Sequence, residues 1–327
     1  MMNRRELIRL GLSSLAVTAA PSALLAQTQY PIRPIRLVVP FAPGGVVDVT
    51  GRLWADQVKT SLGTVVVENL SGAGGTHGAG EVARADADGY TVLLGNTSTQ
   101  VLNPAIMPKA PYDPATAFRA VSILAHTAIS IGVNPNLPPK NLRELIDYIK
   151  ANPGKLSYGS PGAGTFTHLA GEIFKQSTGI KDLVHVPYKG AGPGIADLVS
   201  GHIPMMALNI TDQVVSLHKS GKLRILAVLT PERLGVLPDV QTGTETVKGL
   251  TAMLFTGLFV PKATPQPIVD RIAKATREAM DNDTFKAKLI AAGFAPVRDT
   301  PAEAQALVDA ETARLVPLAK SLGFKLG

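Results

Sequence analysis

From Tyr30 onward, short aliphatic and β-branched runs alternate with longer stretches whose apolar positions recur every three or four residues. The run IRLVVP (Ile35–Pro40) reads as a buried strand, and VVDVTGRLWADQVKTSLG as the helix after it, stopped by Gly63. Thr64–Glu68 and Tyr90–Gly95 repeat the strand signal, with an alanine-rich helix to Ala85 between them. The middle of the chain restates the theme. ISIGVNP leads to NLRELIDYIKANPG, LSYGS to GAGTFTHLAGEIFKQSTG, and LVHVPY to KGAGPGIADLVSGH. IPMMALN leads to TDQVVSLHKSGK, LRILAVLT closes the set, and MLFTGLFVPKATP precedes three helical stretches that run to Ser321.

Strands alternating with helices predict an α/β fold with parallel sheets covered on both faces. Two sets of such units in 327 residues exceed one small core and predict two lobes. The chain is expected to cross between them near His126–Ala128 and Thr251–Thr256. Lobe I then holds residues 30–126 and 252–327, and lobe II residues 127–251. A cleft between two such lobes is the preferred place for a ligand, because strand-to-helix turns face it.

Residues 1–26 stand apart. Arg4, Arg5 and Arg9 precede an uncharged stretch from Leu10 to Ala26, with a small-residue cut after Ala26. That is the layout of a cleaved export signal, and Arg4-Arg5 before Leu7-Ile8 resembles the twin-arginine type. Pro21 and the short length argue against a membrane anchor. The chain contains no cysteine, which excludes disulfides. A soluble periplasmic protein is expected. The content of 45% hydrophobic and 17% charged residues fits an ordered globular chain. The net charge of +7 raises the question of nucleic acid, but Lys and Arg are scattered with no run of five. No nucleic-acid partner is expected; the excess is a solvated surface that attracts small anions.

Candidate chemistry gathers where strands hand over to helices: PFAPGGVVD (Pro40–Asp48), SGAGGT (Ser71–Thr76), GNTST (Gly95–Thr99), GSPGAGT (Gly159–Thr165) and KGAGPG (Lys189–Gly194). Each such turn leaves backbone N–H groups without helical partners at the positive end of a helix dipole. Glycine lets a ligand approach them closely. Thr97, Ser98, Ser160 and Thr165 add hydroxyls. Together the turns describe an anion site. Four hydrogen bonds to a charged group, at about 2 kcal/mol each, correspond to roughly micromolar binding without an arginine clamp.

Other chemistries fit poorly. Neither Gly154-Lys155 nor Gly221-Lys222 is followed by Ser or Thr, so the phosphate-loop pattern fails. In GAGGTH the third glycine of a dinucleotide fingerprint is replaced by His77. YGSPG around Ser160 lacks the first glycine of a nucleophile elbow, and SLHK (Ser216–Lys219) lacks its companion motifs. The six histidines show no i, i+4 pair, so neither a metal nor a cofactor is expected. Asp48 is expected to cap N–H groups at the start of its helix rather than to catalyse.

The segments YPIRPIRLVVPFAPGGVVD, VVVENLSGAGGTHGA, DGYTVLLGN, GTFTHLAGEIFK, VHVPYKGAGPGIADLVSGHI, GKLRILAV and LPDV, in that order, resemble the substrate-binding receptors of tripartite tricarboxylate transporters, the Bug receptors. The resemblance runs from Tyr30 to the C-terminal helices. It implies the type II periplasmic-binding fold, with two α/β lobes closing on a ligand. It also implies a carboxylated metabolite held by main-chain amides and hydroxyls, and delivery to membrane permease subunits. Carried onto this chain, it assigns ligand binding to Phe41, Ala42, Gly44 and Gly45, then to Gly74, Gly75 and Thr76. Thr97, Ser98 and Ser160 follow, then Gly162, Gly164, Thr165 and His168, and last Tyr188, Lys189, Gly190 and Asn209. Ala42 stands where proline is commoner, Leu208 where aspartate is usual, and MLFTG replaces a tryptophan-containing strand.

A monomeric, non-enzymatic receptor for a small mono-, di- or tricarboxylate is therefore expected. Two rivals stay open: a sensor that presents its liganded form to a signalling partner, and an exported hydrolase using Ser160 and His168. A bulky side chain at Gly75 or Gly164 is expected to block ligand and spare the fold.

Overall fold

A computed structural model describes residues 30–324; the export-signal segment 1–26 lies outside the described residues. In the first half of the chain, β1 (Ile35–Val39) runs between parallel β2 (Val65–Asn69) and β3 (Thr91–Asn96). Its IRLVV sequence is buried at all but one position, as a strand covered on both faces requires. Helix α1 (Val46–Gln57) covers one face through Val46, Val47, Trp54 and Ala55. A Cβ at Gly51 would lie 2.8 Å from Leu94 Cδ2, so only glycine lets this helix sit so close to the sheet. Helix α2 (Thr76–Ala83) follows β2.

The long strand β4 (Phe118–Val133) then carries the chain away. Its Phe118–Ala128 part pairs antiparallel with β9 (Met253–Pro261), and Ala125–Thr127 also meet β10 (Phe294–Pro296). From Ile129 to Val133 it pairs instead with β7 (Met205–Asn209) and β8 (Arg224–Val228). The change of partners is stitched by Leu229 N–H to the Ile129 carbonyl (2.7 Å) and Ala252 N–H to the Leu229 carbonyl (2.7 Å). Beyond the junction, β5 (Ser157–Ser160) runs parallel to β6 (Val184–Pro187) and β7. Helices α3 (Leu142–Ala151), α4 (Phe166–Thr178), α5 (Ala191–Ser200) and α6 (Asp212–Lys219) belong to this half. The strand order is β2-β1-β3-β9-β4-β7-β5-β6, with β8 and β10 set against β4.

Two α/β lobes result, each with its own parallel strands. The all-parallel expectation needs one correction: β4 and β9 run antiparallel to each other and to their neighbours β7 and β3. One leads out to the second lobe and the other leads back, which fixes their opposite directions. The last three helices, α7 (Gln266–Met280), α8 (Asp283–Ala291) and α9 (Pro301–Ser321), pack on the first lobe. Trp54 Nε1–H donates to Thr276 Oγ1 at 3.1 Å, joining α1 to α7. Buried Asp299, just before α9, accepts from Ser122 Oγ–H (2.6 Å) and Ile123 N–H (3.0 Å), where β4 bulges. Thr300 and Glu303 form a capping box that starts α9.

Candidate ligand-binding cleft

A cavity of about 390 Å³ lies where the lobes meet. The turn before α1 supplies Phe41, Ala42, Pro43, Gly44 and Gly45, and the end of β3 and the turn after it supply Asn96 and Ser98. From the second lobe come the starts of three helices: Thr165 and Thr167 at α4, Lys189 and Gly190 at α5, Thr211 and Gln213 at α6. Leu254 on β9 closes the back.

The first turn is set by a buried carboxylate. Asp48, 2% exposed, accepts from Gly44 N–H (2.9 Å), Asn69 Nδ2–H (2.9 Å) and Arg52 (2.9 Å). Burial pushes the Asp48 carboxyl upward, but the hydrogen bonds from Arg52, Gly44 and Asn69 outweigh it and hold the group below its ordinary value. Asn69 Nδ2–H also donates to the Phe41 carbonyl at 3.0 Å. Gly44 adopts φ +80°, a conformation that favours glycine, and its N–H is committed to Asp48. The donors left for a ligand are those that follow it. Among the described residues, α1 has no side-chain N-cap, and Val46 and Val47 line the cavity.

Helix α4 is different. Thr165 caps it by accepting from His168 N–H at 3.4 Å, and donates its own hydroxyl to the Gly162 carbonyl at 2.7 Å. The first helical N–H, that of Phe166, donates to Ser98 Oγ at 3.0 Å, from one lobe to the other. Helix α6 is capped by Thr211, which accepts from Val214 N–H at 3.3 Å. Helix α5 begins at Gly190, φ +117°, without a side-chain cap. Its turn is tied to the α4 turn by Tyr188 N–H to the Ser160 carbonyl and Gly190 N–H to the Pro161 carbonyl, both 2.9 Å. Four helix N-termini thus face one cavity, each equivalent to roughly half a positive charge. Two of them, α1 and α5, are uncapped among the described residues. Lys189, exposed, is the charged residue of the lining; among the described residues no acid and no arginine lines it.

The remaining sequence candidates stand behind this lining. A Cβ at Gly75, φ +95°, would lie 2.8 Å from both Phe41 Cζ and Thr99 Cγ2. Gly74 packs against Asn103 and the Ala163 carbonyl, and Thr76 Oγ1–H donates to the Ala73 carbonyl at 2.8 Å. This glycine turn therefore buttresses the Phe41 ring rather than meeting the cavity. Gly164 adopts φ +74° and is buried. A bulky residue at Gly75 or Gly164 strains the backbone, so the expectation that the fold is spared is corrected. Thr97 Oγ1 accepts from Phe255 N–H at 3.0 Å, and Tyr188 OH donates to Asp197 at 2.8 Å.

Ser160, 0% exposed, shares a hydrogen bond with His185 Nε2 at 2.7 Å, not with His168. His168 stacks on His185 with ring centroids 3.6 Å apart, and its Nδ1 accepts from Gly164 N–H at 3.3 Å. Phe324, beyond α9 of the first lobe, leans on His168 at 4.4 Å. Burial lowers the His168 pKa to about 3, helped by His185 and Lys175. Burial lowers that of His185 to about 4, with Lys175 adding to the shift and Glu172 opposing it. The hydrolase pairing of Ser160 with His168 is corrected: the hydroxyl is sealed from the cavity and bonded to a different ring. Among the described residues, no group of three or more His, Cys, Asp or Glu side chains could hold a metal ion.

Asn96 lies inside the GNTST turn, but five other cavity residues lie outside the glycine-rich turns: Thr167, Ile195, Thr211, Gln213 and Leu254. Thr167 and Gln213 stand on the first turns of α4 and α6, Thr211 caps α6, Ile195 lies one turn into α5, and Leu254 is on β9. For Thr167 and Gln213 the position just past a helix start is the available signal, because these helices present their first turns to the cleft.

A family model described as the tripartite tricarboxylate transporter family receptor matches residues 50–324. Protein BugT of Bordetella pertussis is 33% identical over 314 residues, 94% of this chain and 95% of that one. An R. palustris protein solved with adipate superposes with TM-score 0.86 at 33% identity, over 91% of this chain and 99% of its own. MatC from Rhodopseudomonas palustris, solved with bound malate, gives TM-score 0.82 at 31% identity, over 88% and 99%.

Proposed function

Because the chain belongs to the tripartite tricarboxylate transporter receptor family, we propose that it captures a small organic carboxylate in the cavity between its lobes. It then delivers the ligand to the membrane subunits of a transporter of that type. The family is one of receptors, not enzymes. The solved relatives carrying adipate and malate support a carboxylate ligand here. The observation that carries the proposal is the cavity's donor set. Uncapped N-termini of α1 and α5 and the Lys189 ammonium surround a space that no acidic side chain lines among the described residues. Such a set favours an anion and gives it hydrogen bonds from both lobes.

We take lobe I as residues 30–126 with the chain from 252 onward, and lobe II as 127–251. The change of β4 partners after Ala128 supports these bounds. The protein acts in the periplasm as a monomer. Among the described residues no helix is long and apolar enough to cross a membrane. Ligand binding favours the closed arrangement, and a permease recognises closure. Calorimetric titration of the purified protein with aliphatic and aromatic mono- and dicarboxylates tests this: saturable binding of at least one acid is expected. A flat response to all of them, with no thermal shift, overturns the proposal.

A further inference from the structure

The receptor proposal leaves the body of the ligand unspecified. Resting on that proposal, we infer that the ligand is a carboxylate with a hydrocarbon body, aliphatic or aromatic, free of hydroxyl groups between its carboxylate and its far end.

Beside the helix termini the cavity wall is apolar. Phe41, Phe166, Ile195, Leu208, Val214 and Leu254 form it, and the last five are buried. Most of the polar side chains among them already spend an oxygen on the protein. Ser98 Oγ accepts from Phe166 N–H, and Asn96 Oδ1 accepts from Thr99 N–H at 3.1 Å. The Thr165 and Thr167 hydroxyls bond each other at 2.8 Å, and Thr211 caps α6. Gln213 and Lys189 are exposed at the rim. That leaves the Asn96 Nδ2 and the Asn209 amide, whose Oδ1 is buried and has no hydrogen-bond partner among the described residues.

Two amide groups at fixed positions cannot serve every hydroxyl of a polyhydroxylated chain. Each hydroxyl entering the cavity gives up water and meets Leu, Val, Ile or Phe carbons, a loss no protein group repays. A hydrocarbon body has no hydrogen bond to lose, and it releases water from the apolar walls. The Asn209 amide accommodates a polar group at the far end only. Charge sets the orientation of the ligand at the helix termini; the apolar sector selects its body.

The test is a calorimetric comparison on the full chain with three pairs matched in carbon skeleton: hexanoate against gluconate, adipate against galactarate, and benzoate against gallate. The unhydroxylated member is expected to bind at least about thirtyfold tighter in every pair that binds at all. Equal or tighter binding of a hydroxylated member overturns the inference and leaves the receptor proposal standing. No binding and no thermal shift with any of the six overturns both. A second variant localises the effect. Val214→Thr puts a hydroxyl into the wall at constant shape. It should weaken the unhydroxylated ligand about fivefold, without weakening the hydroxylated one. Unchanged affinity in that variant, with circular dichroism unaltered, also overturns the inference.

Discussion

Ser98→Ala isolates a contact between the lobes. In the structure the Ser98 hydroxyl oxygen accepts the Phe166 N–H at 3.0 Å. Phe166 is the first residue of α4, so its N–H has no partner within the helix. Ser98 is 2% exposed and Phe166 1%, so water does not replace the lost oxygen while the lobes stay together. Once they part, water reaches the N–H. The cost of the substitution therefore falls on the closed form alone. A side-chain cap of this kind contributes about 1 kcal/mol, the same size as a net hydrogen bond. Since ligand is held in the closed form, Kd should weaken about fivefold. The change should appear in the dissociation rate. Calorimetry and stopped-flow release measure it, and Ser98→Thr should restore most of the affinity. Small-angle scattering of the ligand-free protein gives a second readout, with the variant expected to show the larger radius of gyration. A Kd unchanged within about 1.5-fold, where a lost hydrogen bond predicts fivefold, refutes the contribution. A weakened Kd with identical ligand-free scattering also refutes it, because the hydroxyl then acts on the ligand and not between lobes.

Gly75→Ala forces a Cβ into Phe41 and Thr99 at a positive φ. Its melting temperature should fall by about 4 °C or more, with affinity falling too as the Phe41 ring shifts; an unchanged melting curve contradicts the buttress role. Asp48→Asn keeps the shape but loses the charge that Arg52 and Gly44 address. The urea midpoint should drop by an amount equivalent to about 1–3 kcal/mol, which equilibrium unfolding checks. The stacked His168 and His185 are neutral in the fold, with pKa values of about 3 and about 4. The unfolded chain takes up these protons near the ordinary histidine value of about 6.5. Stability is therefore intact above that value and falls as the pH drops from there toward 4. The loss is on the order of 2 kcal/mol per ring by about pH 5. Urea midpoints measured through this range should slope accordingly, and His168→Gln should flatten the slope; equal slopes count against the assignment.

Strand and helix periodicities made the α/β class and two-lobe plan legible, because each βα unit is locally amphipathic. Strand β4 was less legible. Phe118–Val133 is apolar almost throughout, so nothing in its pattern marks where pairing with β9 ends and pairing with β7 begins. The Ser71–Thr76 turn shows the limit at the site. Like the Pro40–Gly45 turn it carries paired glycines between a strand and a helix, yet it supports the cleft from behind while the other lines it. Glycine spacing reports a backbone that bends, and only the tertiary arrangement decides what lies against the bend. Donor availability is equally hidden. Gly44 and Gly45 are neighbours, but a carboxylate four residues beyond Gly44 claims its N–H.

A strand of 16 residues held in common by both halves leaves no clean place to cut. A fragment beginning at 127 would start inside β4 and abandon most of its pairing with β9, while the remainder would lose β9 itself, the strand against which β3 and the first part of β4 pair. Either piece would present raw edges to other chains and precipitate. The two halves are therefore expected to melt as one cooperative unit in a calorimetric scan, with whatever tightens their grip on a small molecule raising the survival of the whole polypeptide.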